Sequence, residues 1–196
     1  MRKEILNIIK KDQKKSLPII KKYIKRKTLL DVGCGNAINS FLFNKKCKTK
    51  VTLLDKQDIR EKEEISFPFF LGSINKIPFD KDSFDVVFVQ YVLHHLSSEI
   101  KLEKALKELK RVGRIIIIIE EIIGKKTNLE IAKHFDEKTN KIMNPGSKTP
   151  VNKYYKDEEL KKLFNLTGLK IIEEKIIDKG CKINGYLERK VYIISP

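Results

Sequence analysis

Two spacings of apolar residues alternate along this chain: steps of three and four, and short continuous runs. Ile5, Ile8 and Ile9, then Ile20, Tyr23 and Ile24, recur at helical steps. They predict two amphipathic helices in residues 1–27, with Ser16 capping the second and Pro18 in its first turn. Leu29, Leu30 and Val32 then form an apolar run that reads as a buried parallel strand, followed by a helix from Asn36 to Asn44. Val51 to Asp55 is a second strand, and charged Lys56 to Ser66 is a short helix or loop. Phe67 to Leu71 is a third strand, which Pro68 forces to start late or to lie at an edge.

The second half repeats the alternation. Val86 to Val89 reads as a fully buried strand, and Ser97 to Lys110 as a helix carrying Ile100, Leu102, Ala105, Leu106 and Leu109. The turn from Arg111 to Arg114 leads into Ile115 to Ile119, a β-branched run suited to a central strand covered on both faces. Residues 122–155 predict a helix through Ile131 and Phe135, then a loop from Asn144 to Pro150, closed by Tyr154 and Tyr155. Lys156 to Phe164 is a helix that Gly168 ends, and Ile171–Ile177 with Tyr186–Ile194 form a closing antiparallel pair around Gly180 and Gly185. Strands alternating with helices and ending in a hairpin predict an α/β, doubly wound sheet.

Length and composition narrow the class. A chain of 196 residues is expected to form one domain that buries about 70% of its unfolded surface. Cys34, Cys47 and Cys181 are odd in number, with no pair at metal-ligand spacing. They predict neither a disulfide framework nor a zinc site, and suit a reducing cytoplasm. The longest apolar run, Ile115 to Ile119, falls far short of the ~20 residues that span a bilayer. Residues 5–9 are too short and broken for a signal peptide, so no integral membrane association is expected. No oligomeric state follows from the sequence.

The net charge of +16 raises nucleic acid as a partner. Yet 36 of the 42 basic residues are lysine and only six are arginine, spread over a chain that also holds 28 isoleucines. Bidentate phosphate and base recognition favours arginine, so the excess reads as compositional bias. Residues 1–27 carry eleven basic residues against Glu4 and Asp12. A membrane-surface or RNA-facing element, or a lid over the site, is one reading. The favoured one is a solvated lysine face on helices that pack against the sheet.

The chemistry sits at Asp31-Val32-Gly33-Cys34-Gly35-Asn36-Ala37. Gly33 and Gly35 allow a sharp turn and close approach to a ligand, and the following helix offers unpaired N–H groups. The dinucleotide fingerprint would want glycine at position 38, where this chain has Ile38. Asp55 ends the next strand 22 positions after Gly33, where a carboxylate can accept from ribose hydroxyls. With Asp31 two residues before the first glycine, the segment resembles the first motif of class I S-adenosylmethionine-dependent methyltransferases, with Ala37 for the usual third glycine. Gly72-Ser73-Ile74-Asn75-Lys76-Ile77-Pro78-Phe79 resembles their Gly-Asp-Ala-x-x-Leu-Pro-Phe, with Ser73 at the acidic position. Ser83-Phe84-Asp85 and Leu93-His94-His95 are similar to a pattern frequent in their small-molecule members, and no Asn-Pro-Pro-Tyr follows the strand.

The resemblance implies a Rossmann-like seven-stranded sheet, the last strand antiparallel, in a single domain over 1–196. It implies S-adenosylmethionine as cofactor and a small-molecule acceptor, with residues 122–155 building acceptor specificity. Asp31 would orient the turn and the cofactor's amino-acid end, Gly33 and Gly35 would allow backbone approach, and Asp55 would take the ribose. Ser73 and Ile74 would meet the adenine and Gln90 would floor the sulfonium, with Cys34 and Lys56 completing the cofactor set. His94 and Glu120 are candidate bases for a hydroxyl or thiol acceptor. No metal is expected, because adjacent histidines on a helix diverge by about 100°. An RNA or protein methyltransferase standing on the basic N-terminal face, and a non-catalytic cofactor binder, remain as alternatives.

Overall fold

In a computed structural model of the protein, residues 2–60, 66–143 and 150–196 are described. The elements in order are α1 (Arg2–Ile24), β1 (Thr28–Val32), α2 (Ile38–Cys47), β2 (Lys50–Asp55), β3 (Phe69–Leu71) and β4 (Phe84–Gln90). A 3₁₀ turn (Leu93–His95) leads to α3 (Glu99–Val112), β5 (Gly113–Ile122), α4 (Leu129–Met143), α5 (Asp157–Leu166), β6 (Lys170–Asp178) and β7 (Glu188–Ser195). The seven strands order as β3-β2-β1-β4-β5-β7-β6. Strands β1 to β5 pair in parallel, and β7 runs antiparallel to both β5 and β6. The mostly parallel, doubly wound sheet with its antiparallel terminal pair stands as the sequence predicts.

The sheet is covered on both faces, which is why its central strands are apolar throughout. One layer joins Leu30, Val87 and Ile116 to Leu102, Leu106 and Leu109 of α3 and Leu160 and Phe164 of α5. The other joins Leu29, Phe88 and Ile117 to Ile20 and Ile24 of α1 and Phe43 of α2. β3 starts one residue after Pro68 and lies at the sheet edge, so the proline gives up no ladder hydrogen bond.

Residues 1–27 correct the prediction of two helices. α1 runs unbroken for 23 residues with Pro18 inside it. An interior proline costs about 3 kcal/mol, whereas fully burying an isoleucine is worth about 1.5–3 kcal/mol. Ile20 and Ile24 are both wholly buried beyond the proline, so packing outweighs the lost bond. Ser16 is accordingly a buried mid-helix residue and not a cap. On α3 the N-cap is Ser98, whose hydroxyl accepts from Lys101 N–H at 3.2 Å. Ile100 stands 80% exposed, because it lies across the helix from buried Leu102 and Leu106. In place of a separate turn over 111–114, α3 passes directly into β5 at Gly113. A Cβ there would lie 2.4 Å from Val87 Cγ2, so only glycine fits. Of the predicted Asn144–Pro150 loop, residues 144–149 lie outside the described residues, as do 61–65 of the Lys56–Ser66 stretch.

Candidate active site

The carboxyl ends of β1 and β4 meet where the strand order reverses, the place at which open α/β sheets hold ligands. After β1 the backbone turns through Gly33 (φ 73°), Gly35 (φ 52°) and Ala37 (φ 58°) before α2 begins. Gly33 cannot be anything larger: a Cβ would lie 2.5 Å from Val92 Cγ2. The turn is pinned to β2 twice over. Gly33 N–H donates to Leu54 C=O at 2.8 Å, and Gly35 N–H donates to Asp55 Oδ2 at 2.9 Å. Asp55 Oδ1 accepts from Lys56 N–H at 2.6 Å and Gln57 N–H at 3.4 Å. A carboxylate has about four acceptor positions, so one on Oδ2 stays open to a ribose hydroxyl.

Asp31 is 3% exposed and accepts from Ser40 Oγ at 2.6 Å. Burial pushes its pKa up to about 7, with the Ser40 hydrogen bond opposing and the Asp55 charge adding to the rise. Gln90 accepts from Asn39 Nδ2 at 2.8 Å, and Asn39 in turn accepts from Gln13 Nε2 at 3.0 Å, tying α1, α2 and β4 together.

One cavity of about 280 Å³ is lined by these groups together with residues of α1 and α4. Of the residues that the sequence offers for a cofactor, Asp31, Gly33, Cys34, Gly35, Asp55, Lys56, Ile74 and Gln90 line it. Ser73 does not; its hydroxyl accepts from Asn75 N–H at 3.3 Å, and the neighbouring Gly72 and Ile74 form the wall. The rest of the wall is built of residues outside the predicted cofactor set. Ile5, Ile8, Ile9 and Asp12 come from α1, Phe135, Asp136, Thr139 and Met143 from α4, and Tyr91, His95, Glu121 and Arg189 from the sheet edge. Of the predicted acceptor-side stretch 122–155, α4 contributes these four residues to the cavity. The N-terminal helix packs on the sheet through its second half, as the favoured reading has it, and also lines the cavity through its first.

Arg189, Asp12, Glu121 and Tyr91 form a buried network along that wall. Arg189 donates to Asp12 Oδ1 at 3.3 Å and Glu121 Oε1 at 3.2 Å, and Tyr91 OH donates to Asp12 Oδ2 at 3.1 Å. All three charged side chains are nearly inaccessible, so each depends on the others. Burial raises the Asp12 pKa, while Arg189 and the Tyr91 hydroxyl pull it down.

His94 and Glu120 lie behind the wall. Both are fully buried, with His94 Nδ1 2.6 Å from Glu120 Oε1. Glu120 also accepts from Leu93 N–H and Glu121 N–H, each at 2.9 Å. Burial lowers the His94 pKa, but the Glu120 carboxylate outweighs it and holds the value above normal. His95 faces the cavity; burial first, and then His94, push its pKa down to about 4. The predicted divergence of the two rings is corrected: their centroids stand 4.1 Å apart. The 3₁₀ turn that carries them sets successive residues about 120° apart, so the side chains and not the backbone angle bring the rings together.

Comparison with known proteins agrees with this geometry. Residues 30–115 match the family profile described as a methyltransferase domain. An uncharacterized methyltransferase of Schizosaccharomyces pombe is 37% identical over 110 residues, covering 47% of this chain and 38% of its own. A protein of Encephalitozoon cuniculi named as a methyltransferase is 32% identical over 101 residues, covering 50% and 47%. The chain therefore spans less than half the length of either curated relative. In structure it is similar to the Burkholderia thailandensis 1,6-didemethyltoxoflavin-N1-methyltransferase, solved with 1,6-didemethyltoxoflavin and S-adenosylhomocysteine. That likeness has a TM-score of 0.70 at 12% identity, covering 94% of this chain and 77% of the other. The glycine turn, its two flanking aspartates and the strand order agree with that likeness, and residues 30–115 resemble a methyltransferase domain.

Proposed function

We propose that the protein transfers the methyl group of S-adenosylmethionine to a small-molecule acceptor. The observation that carries this reading is the continuity of the cavity, from the glycine turn to the wall that α1 and α4 provide. Its charge supports the cofactor. Asp12, Asp31, Asp55, Glu121 and Asp136 line it against Lys56 and Arg189, five acids to two bases, in a chain of net charge +16. A ligand with a sulfonium and an ammonium is drawn to such a cavity, whereas a nucleic-acid phosphate is repelled from it. Two lysines of the basic N-terminal face, Lys11 and Lys15, are held by Asp178, outside the cavity.

When bound, the cofactor supplies a methyl group on a sulfonium whose departure as a neutral thioether needs no acid. The protein's part is to position and to exclude water. Gly33 and Gly35 let the backbone close on the ligand, Asp55 offers its open lone pair to the ribose, and Asp31 offers a buried carboxyl to its cationic end. Ile5, Ile8, Ile9, Phe135 and Met143 present an apolar cover over the acceptor side. Holding two reactants in line can supply about 7–11 kcal/mol of barrier lowering without a base. His95 and Asp136 line the cavity there, and His94 and Glu120 stand buried next to them.

Incubation with methyl-labelled cofactor and fractionated cell extract tests this. Label is expected in the small-molecule fraction. Label in RNA or protein would replace the acceptor class, and cofactor binding with no transfer to any fraction would make the protein a binder.

A further inference from the structure

We propose that His94, His95 and Asp136 form a binding site for one divalent transition-metal ion of zinc's kind, on the acceptor side of the cavity. One ligand atom from each of the three lies within 4.8 Å of the others. The two imidazoles are set up alike. His94 Nδ1 meets Glu120 Oε1 at 2.6 Å, and His95 Nδ1 meets the Pro150 carbonyl at 3.0 Å. A carboxylate and a carbonyl accept, so each Nδ1 carries a proton, which leaves each Nε2 as the ring's other nitrogen for an ion. Carboxylate and carbonyl partners on the outer nitrogen are what fix metal-binding histidines in structures generally. Asp136 is held in the same way: its Oδ2 accepts from Asn140 Nδ2 at 2.9 Å, and Oδ1 faces His94.

The second observation is an orphaned atom. His94 Nε2 is buried and has no hydrogen-bond partner among the described residues. It stands 3.8 Å from Asp136 Oδ1, too far for a hydrogen bond whether the ring is neutral or charged. An ion with bonds of about 2.1 Å to each would bridge that gap at an angle of about 130°. Ligand atoms of a tetrahedral site sit about 3.4 Å apart, so closing the widest pair asks for a shift of about 1 Å by α4 or the turn. Two imidazoles and one carboxylate favour zinc and its neighbours over magnesium or calcium, which prefer oxygen throughout. Three protein ligands leave a fourth position open, as in catalytic sites, and His95 and Asp136 direct it into the cavity. The ion site stands on its own geometry. Its use, to hold an acceptor oxygen, sulfur or nitrogen, rests on the methyl-transfer reading.

The test is zinc titration of the full chain after chelator treatment, in a Cys181→Ser background that removes the exposed thiol. Calorimetry should find one zinc ion per chain, and cobalt as a probe should give visible absorption bands of a low-coordinate site. His95→Asn and Asp136→Asn should each weaken binding at least tenfold, while His134→Asn leaves it unchanged. Circular dichroism and cofactor affinity of each variant report that it is folded. The absence of zinc binding, or binding that survives both His95→Asn and Asp136→Asn, overturns the proposal. Either result with cofactor binding intact leaves the methyltransferase reading standing, and loss of cofactor binding alone would sink that reading and not the ion site.

Discussion

Asp31 is where stability and cofactor binding pull in opposite directions. Its carboxyl is raised from 3.8 to about 7, first by burial, with Ser40 opposing and Asp55 adding. An acid with a folded pKa above its unfolded value holds its proton more tightly in the folded chain. Its contribution to stability is whole below about pH 4 and is lost as pH rises towards 7. A rise of that size corresponds to about 4 kcal/mol, or about 1.4 kcal/mol per pH unit across that window. The side-chain amide of an Asp31→Asn variant would still accept from the Ser40 hydroxyl but could not ionise. Without cofactor, the variant should therefore be the more stable protein at pH 8, by up to about 4 kcal/mol. At 2–4 °C per kcal/mol for a chain of this size, that is a rise in Tm of about 8–16 °C.

Thermal melts of both proteins from pH 4 to 8.5 isolate this one group, because every other titration cancels in the difference. The Tm difference should grow from pH 4 to 7 and then level. Cofactor should reverse the ranking, since its ammonium and sulfonium reward an ionised Asp31. Affinity for S-adenosylmethionine should rise with pH in the parent and fall at least tenfold in the variant. A Tm difference that stays flat with pH, or a variant less stable than the parent at pH 8, would refute the assignment of Asp31 as a buried acid held near neutrality.

Asp55→Ala removes the acceptor of Gly35 and Lys56 N–H; at about 1.5–3 kcal/mol for a hydrogen bond to a charged group, calorimetry should show a 10- to 100-fold loss of cofactor affinity. Gly33→Ala places a methyl group 2.5 Å from Val92 Cγ2 at a φ of 73° and should lower the denaturation midpoint and abolish cofactor binding together. Replacing Lys10, Lys11, Lys14 and Lys15 with glutamine should leave turnover within about tenfold, and any larger fall with cofactor binding intact would bring the N-terminal face into acceptor handling. The same change should lower stability above pH 4. Lys15 and Lys11 help hold the Asp178 pKa at about 2 against its burial, an acid whose support is present above its unfolded pKa and lost as pH falls towards 2.

The half of the site that is legible in the sequence is the half that backbone geometry dictates. Gly33, Gly35, Asp31 and Asp55 sit at fixed distances from strand ends, and strand ends are marked by local apolar runs. The rest of the cavity wall has no such local marker. Arg189 meets Asp12 across 177 positions, and Glu121 across 68, so no spacing rule brings them together. Helical angles mislead for His94 and His95, because their side chains bring the rings within 4.1 Å despite the backbone angle, and their third neighbour Asp136 lies about forty positions on in α4. Two helices in residues 1–27 are the wrong division for a related reason. The cost of Pro18 is local and visible in the sequence, whereas the burial of Ile20 and Ile24 against the sheet, which outweighs it, is a tertiary fact.

One signal in that helix is nonetheless local. Positions 5, 9, 12, 16, 20 and 24 fall at steps of three and four, so they share one face. Four of them are isoleucine; the other two are Asp12 and Ser16. A carboxylate on the apolar stripe of a helix whose other polar positions are mostly lysine cannot be a solvating residue. It must meet a partner or a ligand, because an unpaired buried charge costs several kcal/mol. Its lysine neighbours point elsewhere: Lys10 and Lys14 are exposed, and Lys11 and Lys15 reach Asp178. The partner is Arg189, and the face that carries Asp12 also carries Ile5, Ile8 and Ile9 into the cavity. The single acid within the lysine run thus marks α1 as a wall of the cavity. The lysines around it, which dominate the composition, mark only the side that faces water.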